Sequence, residues 1–403
     1  MPDRAFCNLS EYAIMHNMTK YRHSLPLPTL VDTADVLSEM LSRLMVEPAV
    51  AVDTESNSLY AYTERVCLLQ FSVPGEDYLV DPFALEDLSP LGALFGDPEI
   101  EKVFHAAEYD VMVLRRDYGF EFVALFDTMI ASRIVGWLRY GLGNLLEEHF
   151  GVQTDKRMQR TDWGRRPLAP EQLEYAQLDT HFLLQLRERL LAELSSENRL
   201  DEARAAFDRV SQSEWTDRPF DPESFWRIRG ASDLDDASLA VLRALYIYRD
   251  QRAQALDRPP FKVLSDQVLL DLSRQTPGSL SELGRVRGLP RRLPHKAQRK
   301  LLSVIEQGLR DDPPQRPEPT SNDRPDREEI DRYEALRRWR NQRAENRGVE
   351  PDVVLSNRTL HVLAQQCPTS PEALDATGSL SDWERQQYGR EIVSLLRRQR
   401  RMR

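Results

Sequence analysis

The chain repeats itself at an offset of 91 residues: "YRDQRAQALDRPPFKVLSDQVL" (248–269) lies over "WRNQRAENRGVEPDVVLSNRTL" (339–360) without a gap. Arg249, Gln251, Arg252, Ala253, Pro260, Val263, Leu264 and Ser265 recur as Arg340, Gln342, Arg343, Ala344, Pro351, Val354, Leu355 and Ser356. From about residue 233 the apolar spacing is purely helical, so the C-terminal half must be two copies of one small helical module. Two copies are too few for a solenoid, which needs at least about three repeats. The copies are joined by "DDPPQRPEPTSNDRPD" (311–326), where proline and the lack of apolar residues predict an extended linker.

The N-terminal half has a different rhythm. "TADVLSEMLSRLM" has helical spacing, with Thr33 placed as N-cap. "AVAVDTE" reads as a buried strand, and "RVCLLQFSV" and "EDYLVDP" as two more joined by a turn at "PGED". "KVFHAAEYDVMVLRRDYG" is a short strand running into a helix that stops at Gly119. "FDTMIASRIVGWL" and "GNLLEEHFG" are helical, and residues 169–196 form one long helix with Pro170 in its first turn. A polar bridge, residues 197–230, leads to the repeats. The expected organisation is a polar extension (1–27), an α/β domain (28–218), a first helical module (232–312), the linker (313–326) and a second module with a basic tail (327–403).

Composition narrows the class. With 403 residues, 41% of them apolar, the chain has material for two or three cores, but it has no apolar run of the roughly 20 residues a membrane helix needs. The first residues lack the layout of a secretory signal, and three scattered cysteines suit a reducing cytoplasm. A net charge of −11 argues against a protein coated with basic surface, so nucleic-acid contacts must be local. One such run is "RVRGLPRRLPHKAQRK" (285–300), which has no acidic residue; Arg291, Arg292 and Lys296 in it suit salt-sensitive contacts to phosphates.

The chemistry is concentrated in the α/β half. Residues i and i+2 of a strand share a face, so Asp53 and Glu55 sit about 6.6 Å apart along it. That spacing suits two hard cations held about 3.5–4 Å apart, though the same D-x-E alone equally suits a turn or a helix cap. Asp110 falls at a helix start, where the dipole favours a carboxylate. Tyr175 and Asp179 are spaced i, i+4 and share one helix face.

These motifs, in this order, resemble the DEDD superfamily of two-metal 3′–5′ exonucleases, in its tyrosine-bearing branch. The histidine-bearing branch has histidine five residues before the last aspartate, where this chain has Glu174. "VFHAAEYDVMVL", "TDWGRRPL" and "YAQLDTHFLLQL" resemble the ribonuclease D family, and the repeated module is similar to the HRDC domain shared by that family and RecQ-type helicases. The resemblance spans nearly the whole chain and fades past Leu374.

The resemblance implies an α/β, ribonuclease H-like exonuclease domain followed by two small all-α modules. It also implies a monomeric, cytoplasmic exoribonuclease that uses two Mg²⁺ or Mn²⁺ ions to release 5′-nucleoside monophosphates from tRNA precursors and other small structured RNAs. Asp53, Glu55, Asp110 and Asp179 would hold the ions, and Tyr175 would orient the attacking water. His105, five residues before Asp110, matches the family pattern and is expected to bind nucleic acid; Gln70 and Phe71, on a strand beside the site, would touch the terminal nucleotide, Trp163 would stack on a base, and Arg166 would hold a phosphate near the entrance. A DNA exonuclease and a silent nucleic-acid-binding scaffold are the alternatives. A helicase is disfavoured, because the chain has no G-x-x-x-x-G-K-[ST] loop.

Overall fold

The apolar runs of the N-terminal half assemble into one mixed sheet in the computed structural model of the chain, which describes residues 25–217, 219–289, 293–316 and 326–401. Its strands are β1 (Thr29–Val31), β2 (Ala49–Ser56), β3 (Val66–Val73), β4 (Glu76–Val80), β5 (Glu101–Phe104) and β6 (Leu125–Asp127). Their spatial order is β1-β4-β3-β2-β5-β6. The β3–β4 hairpin is antiparallel, while β1 runs parallel to β4 and β5 runs parallel to both β2 and β6. Every residue of β3 is buried, as expected for a strand covered on both faces.

The covering helices are α1 (Ala34–Leu44), α2 (Leu91–Phe95), α3 (Glu108–Tyr118), α4 (Thr128–Val135), α5 (Leu142–Phe150), α6 (Pro170–His181), α7 (Leu183–Ser196) and α8 (Leu200–Ser211). Thr33 caps α1 by accepting from the Val36 amide, and Gly119 ends α3 in the left-handed region. The main core gathers Phe71, Phe95, Phe104, Phe120 and Phe122 with the leucines of α7.

Three elements differ from the sequence reading. Residues 169–196 are two helices, broken at Phe182. The last turn of α6 is tied to the hairpin: Thr180 Oγ1 meets Ser72 Oγ at 2.7 Å and His181 Nδ1 meets Asp77 at 2.8 Å. The Phe182 ring packs instead on Phe150, 4.8 Å between centroids. Leu125–Asp127 is a strand, too short to declare itself beside the helix it feeds. The polar bridge contains α8, whose Ala203 and Phe207, one turn apart, enter the core despite charged neighbours.

Asp77 is the hub that seats α6 on the sheet. It accepts hydrogen bonds from Ser72 Oγ (2.6 Å), Gln177 Nε2 (2.6 Å) and His181 Nδ1. Burial pushes its pKa up, but the bonds from His181, Ser72 and Gln177 outweigh burial and hold it below the ordinary 3.8. A carboxylate depressed in this way stabilises the fold above its unfolded pKa and loses that contribution as pH falls through its folded one. Asp77→Asn is therefore expected to lose about 2 kcal/mol at neutral pH, and the gap to the parent chain should shrink below pH 3.8 in urea titrations.

The chain divides into two compact units. One holds the described residues of the α/β half, apart from 56–65, together with the second helical module; the other holds 56–65 and the first module. The first module is α9 (Asp236–Leu256), α10 (Pro260–Val263), α11 (Asp266–Gln275), α12 (Leu280–Leu283) and α13 (His295–Gly308). The second is α14 (Arg327–Arg347), α15 (Pro351–Val354), α16 (Asn357–Gln366), α17 (Pro371–Asp375) and α18 (Asp382–Arg401). The repeat is a structural one. Arg249 Nη1 donates to Leu264 O (3.2 Å) and Asp266 (2.6 Å), and Arg340 Nη1 donates to Leu355 O (2.9 Å) and Asn357 (2.8 Å). The last helices differ in length, with 14 residues in α13 and 20 in α18.

The second module is docked on the α/β half through ion pairs. Arg133 holds Glu350 (2.9 Å) and Asp352 (2.7 Å), Arg347 holds Glu202 (2.5 Å) and Arg209 holds Glu384 (2.8 Å). At its centre two glycines meet: Gly136 has φ +94°, and a Cβ there would lie 2.6 Å from Gly348 O. Gly136→Ala is expected to cost about 2 kcal/mol or more and to open the region after residue 326 to proteolysis, as followed by thermal unfolding and limited digestion.

Candidate functional site

Three chain segments bring carboxylates together. β2 carries Asp53 and Glu55 half-buried near its C-terminal end. Between them Thr54 donates its hydroxyl to Asp110 Oδ1. Asp110 lies in the first turn of α3, immediately after β5, and is 6% exposed. On α6, Tyr175 and Asp179 are 7% and 6% exposed on one face, while Glu174 points to solvent.

The turn between β5 and α3 is strained, with Ala106 at φ +65°, and it is held by a residue the sequence reading missed. Asp127, 1% exposed, accepts four backbone N–H groups: Ala106 (3.1 Å), Ala107 (2.8 Å), Met129 (2.8 Å) and Ile130 (3.0 Å). It is the N-cap of α4 and the clamp on the turn that delivers Asp110. Its signal was "FDT", an aspartate directly before a helical run, which reads as a cap rather than as part of the helix.

Electrostatics make the cluster costly as it stands. Burial, then repulsion from Asp110, Asp179 and Glu55, holds the Asp53 carboxyl well above the usual range. Burial, Asp179 and Asp110 push Glu55 up to about 9. Burial lifts Asp110 to about 7 against the hydrogen bond from Thr54, and burial lifts Asp179 despite its bond to Tyr175. No positive group enters the balance at Glu55 or Asp179. Among the described residues no three His, Cys, Asp or Glu side chains stand together closely enough to hold a metal ion. The donor set, hard oxygens carrying surplus negative charge, fits divalent cations such as Mg²⁺ and Mn²⁺. Tyr175 is raised by burial first and then by Asp179, Glu55 and Asp53, so it stays a protonated phenol.

Several expected nucleic-acid contacts are instead structural. Trp163 is 1% exposed and packs with Cys67, Leu68 and Tyr175, so its ring has no face for a base. Arg166 has no guanidinium edge to spare for a phosphate. It grips Asp81 (2.6 and 2.8 Å), Cys67 O (2.7 Å) and Trp163 O (2.8 Å) and lies over the Phe83 ring. Phe71 is a core residue beside Phe95, and Gln70 is fully buried, its amide without a protein partner. β3 is covered on both faces, which removes both from the surface. His105 remains half-buried, with Nδ1 2.9 Å from Thr128 Oγ1. Lys296 is exposed on α13, and Arg291 and Arg292 lie outside the described residues.

Comparison with known proteins agrees with this architecture. Residues 28–195 match the 3′–5′ exonuclease family model, and residues 238–305 and 329–396 each match the HRDC domain. The ribonuclease D of Gluconacetobacter diazotrophicus is 35% identical over 268 residues, 66% of this chain and 68% of its own. That of Granulibacter bethesdensis is 29% identical over 382 residues, 93% and 94% of the two chains. The crystal structure of Escherichia coli RNase D, described as an exoribonuclease involved in structured RNA processing, superposes with a TM-score of 0.62 at 28% identity over 92% of this chain and 99% of that one. A mixed sheet flanked by helices, a buried acidic cluster on β2, α3 and α6, and two HRDC modules place the chain in the ribonuclease D family of 3′–5′ exoribonucleases.

Proposed function

We propose that Asp53, Glu55, Asp110 and Asp179 hold two divalent cations, Mg²⁺ or Mn²⁺. With them the chain would remove 5′-nucleoside monophosphates from the 3′ ends of tRNA precursors and other small structured RNAs. The observation that carries this reading is the cluster of like-charged, buried carboxylates with no cation of the protein's own to offset Glu55 and Asp179. Bound cations supply Lewis-acid chemistry, neutralising the phosphodiester and making hydroxide accessible near neutral pH. The protein's part is placement. Tyr175, held as a phenol by its acidic neighbours, orients the attacking water and keeps a hydrogen-bonded link to Asp179. Thr54 and Asp127 fix Asp110 in register with the strand.

The body of a structured RNA needs contacts beyond this cleft. The basic run of the first module, with Lys296, His295 and Arg299 exposed on α13, suits its phosphates. The test is digestion of 3′-end-labelled tRNA precursor, DNA and unstructured RNA with and without Mg²⁺ or Mn²⁺. Metal-dependent shortening of the precursor ahead of DNA is expected. Preference for DNA would overturn the substrate reading, and metal-independent digestion would overturn the site.

A further inference from the structure

The sheet register places one side chain beside the acidic cluster with its hydrogen-bonding sense already set. β2 and β5 pair as Ala49 with Glu101, Val50 with Lys102 and Ala51 with Val103. The pairing stops there; His105 directly follows the end of β5, in the turn that leads to Asp110. β5 and β6 pair up to Phe104 with Asp127, and one step further His105 stands next to Thr128. Residues paired across neighbouring strands share a face. His105 and Thr128 thus meet just beyond the carboxyl ends of the parallel strands β5 and β6, the edge at which open α/β sheets bind ligands.

The tautomer of His105 follows from Thr128. Thr128 Oγ1 donates its only proton to Phe104 O at 2.9 Å. In its 2.9 Å contact with His105 Nδ1 it must therefore accept, which puts the imidazole proton on Nδ1. With that proton on Nδ1, the neutral ring presents Nε2 as an acceptor. Nε2 has no partner among the described residues and is not one of the sealed, orphaned polar atoms.

We propose that His105 Nε2 accepts a hydrogen bond from the 2′-hydroxyl of the 3′-terminal nucleotide and so determines the preference for a ribonucleotide end. An acceptor-only nitrogen repels phosphate oxygens and needs a donor. In the turn that leads to Asp110, which is assigned to the scissile phosphate, the nearest donors of a terminal nucleotide are its ribose hydroxyls rather than its base N–H groups, and the 2′-hydroxyl is what separates RNA from DNA. The inference rests on the site reading above and assigns His105 as a specificity-determining residue of that site.

The experiment uses the full chain with saturating Mn²⁺ and three RNA strands that differ only in the last nucleotide: ribose, 2′-deoxyribose or 3′-deoxyribose. The parent chain is expected to favour the ribose end over the 2′-deoxy end by about tenfold in kcat/KM. His105→Ala should bring that ratio to near one, and His105→Gln, whose amide oxygen can accept, should restore part of it. Thermal melting and circular dichroism identify an unfolded variant, in which case the Gln variant carries the test. The proposal is overturned if the parent does not discriminate, if His105→Ala keeps the parent's ratio, or if only the 3′-deoxy end is rejected. Asp53→Asn separates the two levels: it should be inactive on every end, and activity there would sink the site assignment itself and this inference with it.

Discussion

Asp53→Asn and Glu55→Gln are each expected to retain no more than about a thousandth of the parent's nuclease rate and, in metal-free buffer, to melt at a higher temperature than the parent. The two effects share one cause. Glu55 is pushed up to about 9 by burial and by Asp179 and Asp110, with no hydrogen bond or cation entering to offset them. An amide of the same shape removes the charge that burial and its neighbours oppose. Each pKa unit of that opposition corresponds to about 1.4 kcal/mol, so a gain of at least about 1 kcal/mol is expected after generous discounting. Adding Mn²⁺ should stabilise the parent and close or reverse the gap, because a ligand that binds only the folded state raises its melting temperature. Melting curves in chelator and in Mn²⁺, beside single-turnover digestion, read both halves. A variant that is inactive but no more stable than the parent in chelator would mean the carboxylates are not in mutual conflict.

Asp127→Ala is expected to be the most destabilising single change near the site, losing about 3–5 kcal/mol, with Asp127→Asn intermediate. The carboxylate receives four backbone N–H groups from two segments, and alanine would leave all four unpaired, one of them buried and three partly buried. It also releases the turn at Ala106, whose positive φ persists only while its surroundings impose it. Activity should fall in the folded fraction as well, because Asp110 follows that turn by three residues. Denaturant unfolding together with the rate per folded molecule separates the two losses. A folded Asp127→Ala with the parent's stability and rate would show that the clamp does not act as described.

What the sequence made legible was whatever depends on local periodicity and spacing. The D-x-E strand, the caps at Thr33 and Gly119, the β3–β4 hairpin and both copies of the module follow from patterns a few residues long. The four carboxylates and Tyr175 were singled out because their order along the chain is itself a signal, and the fold places them on β2, α3 and α6. What was missed depends on long-range partners. Phe182 breaks a good helical pattern only because Ser72 and Asp77, about a hundred residues away, hold the preceding turn. The polar composition of α8 hides a two-residue apolar anchor at Ala203 and Phe207. Trp163 and Arg166 looked like surface ligands because an aromatic and an arginine side by side suit nucleic acid. Arg166 is spent on Asp81 and three carbonyls, and Trp163 is sealed under Tyr175, so the pair supports the site from behind.

The docking of α14–α18 on the α/β half has a consequence for synthesis. Arg133, Glu202 and Arg209 are made long before their partners Glu350, Asp352, Arg347 and Glu384, with the whole first module translated in between. At about 5–20 residues per second, that interval is on the order of ten seconds. For that time the nascent α/β half carries a face of unmatched charge, including a glutamate at position 202 that is 6% exposed once its arginine arrives. The last helices of the chain then close a unit whose first strands were laid down some three hundred residues earlier.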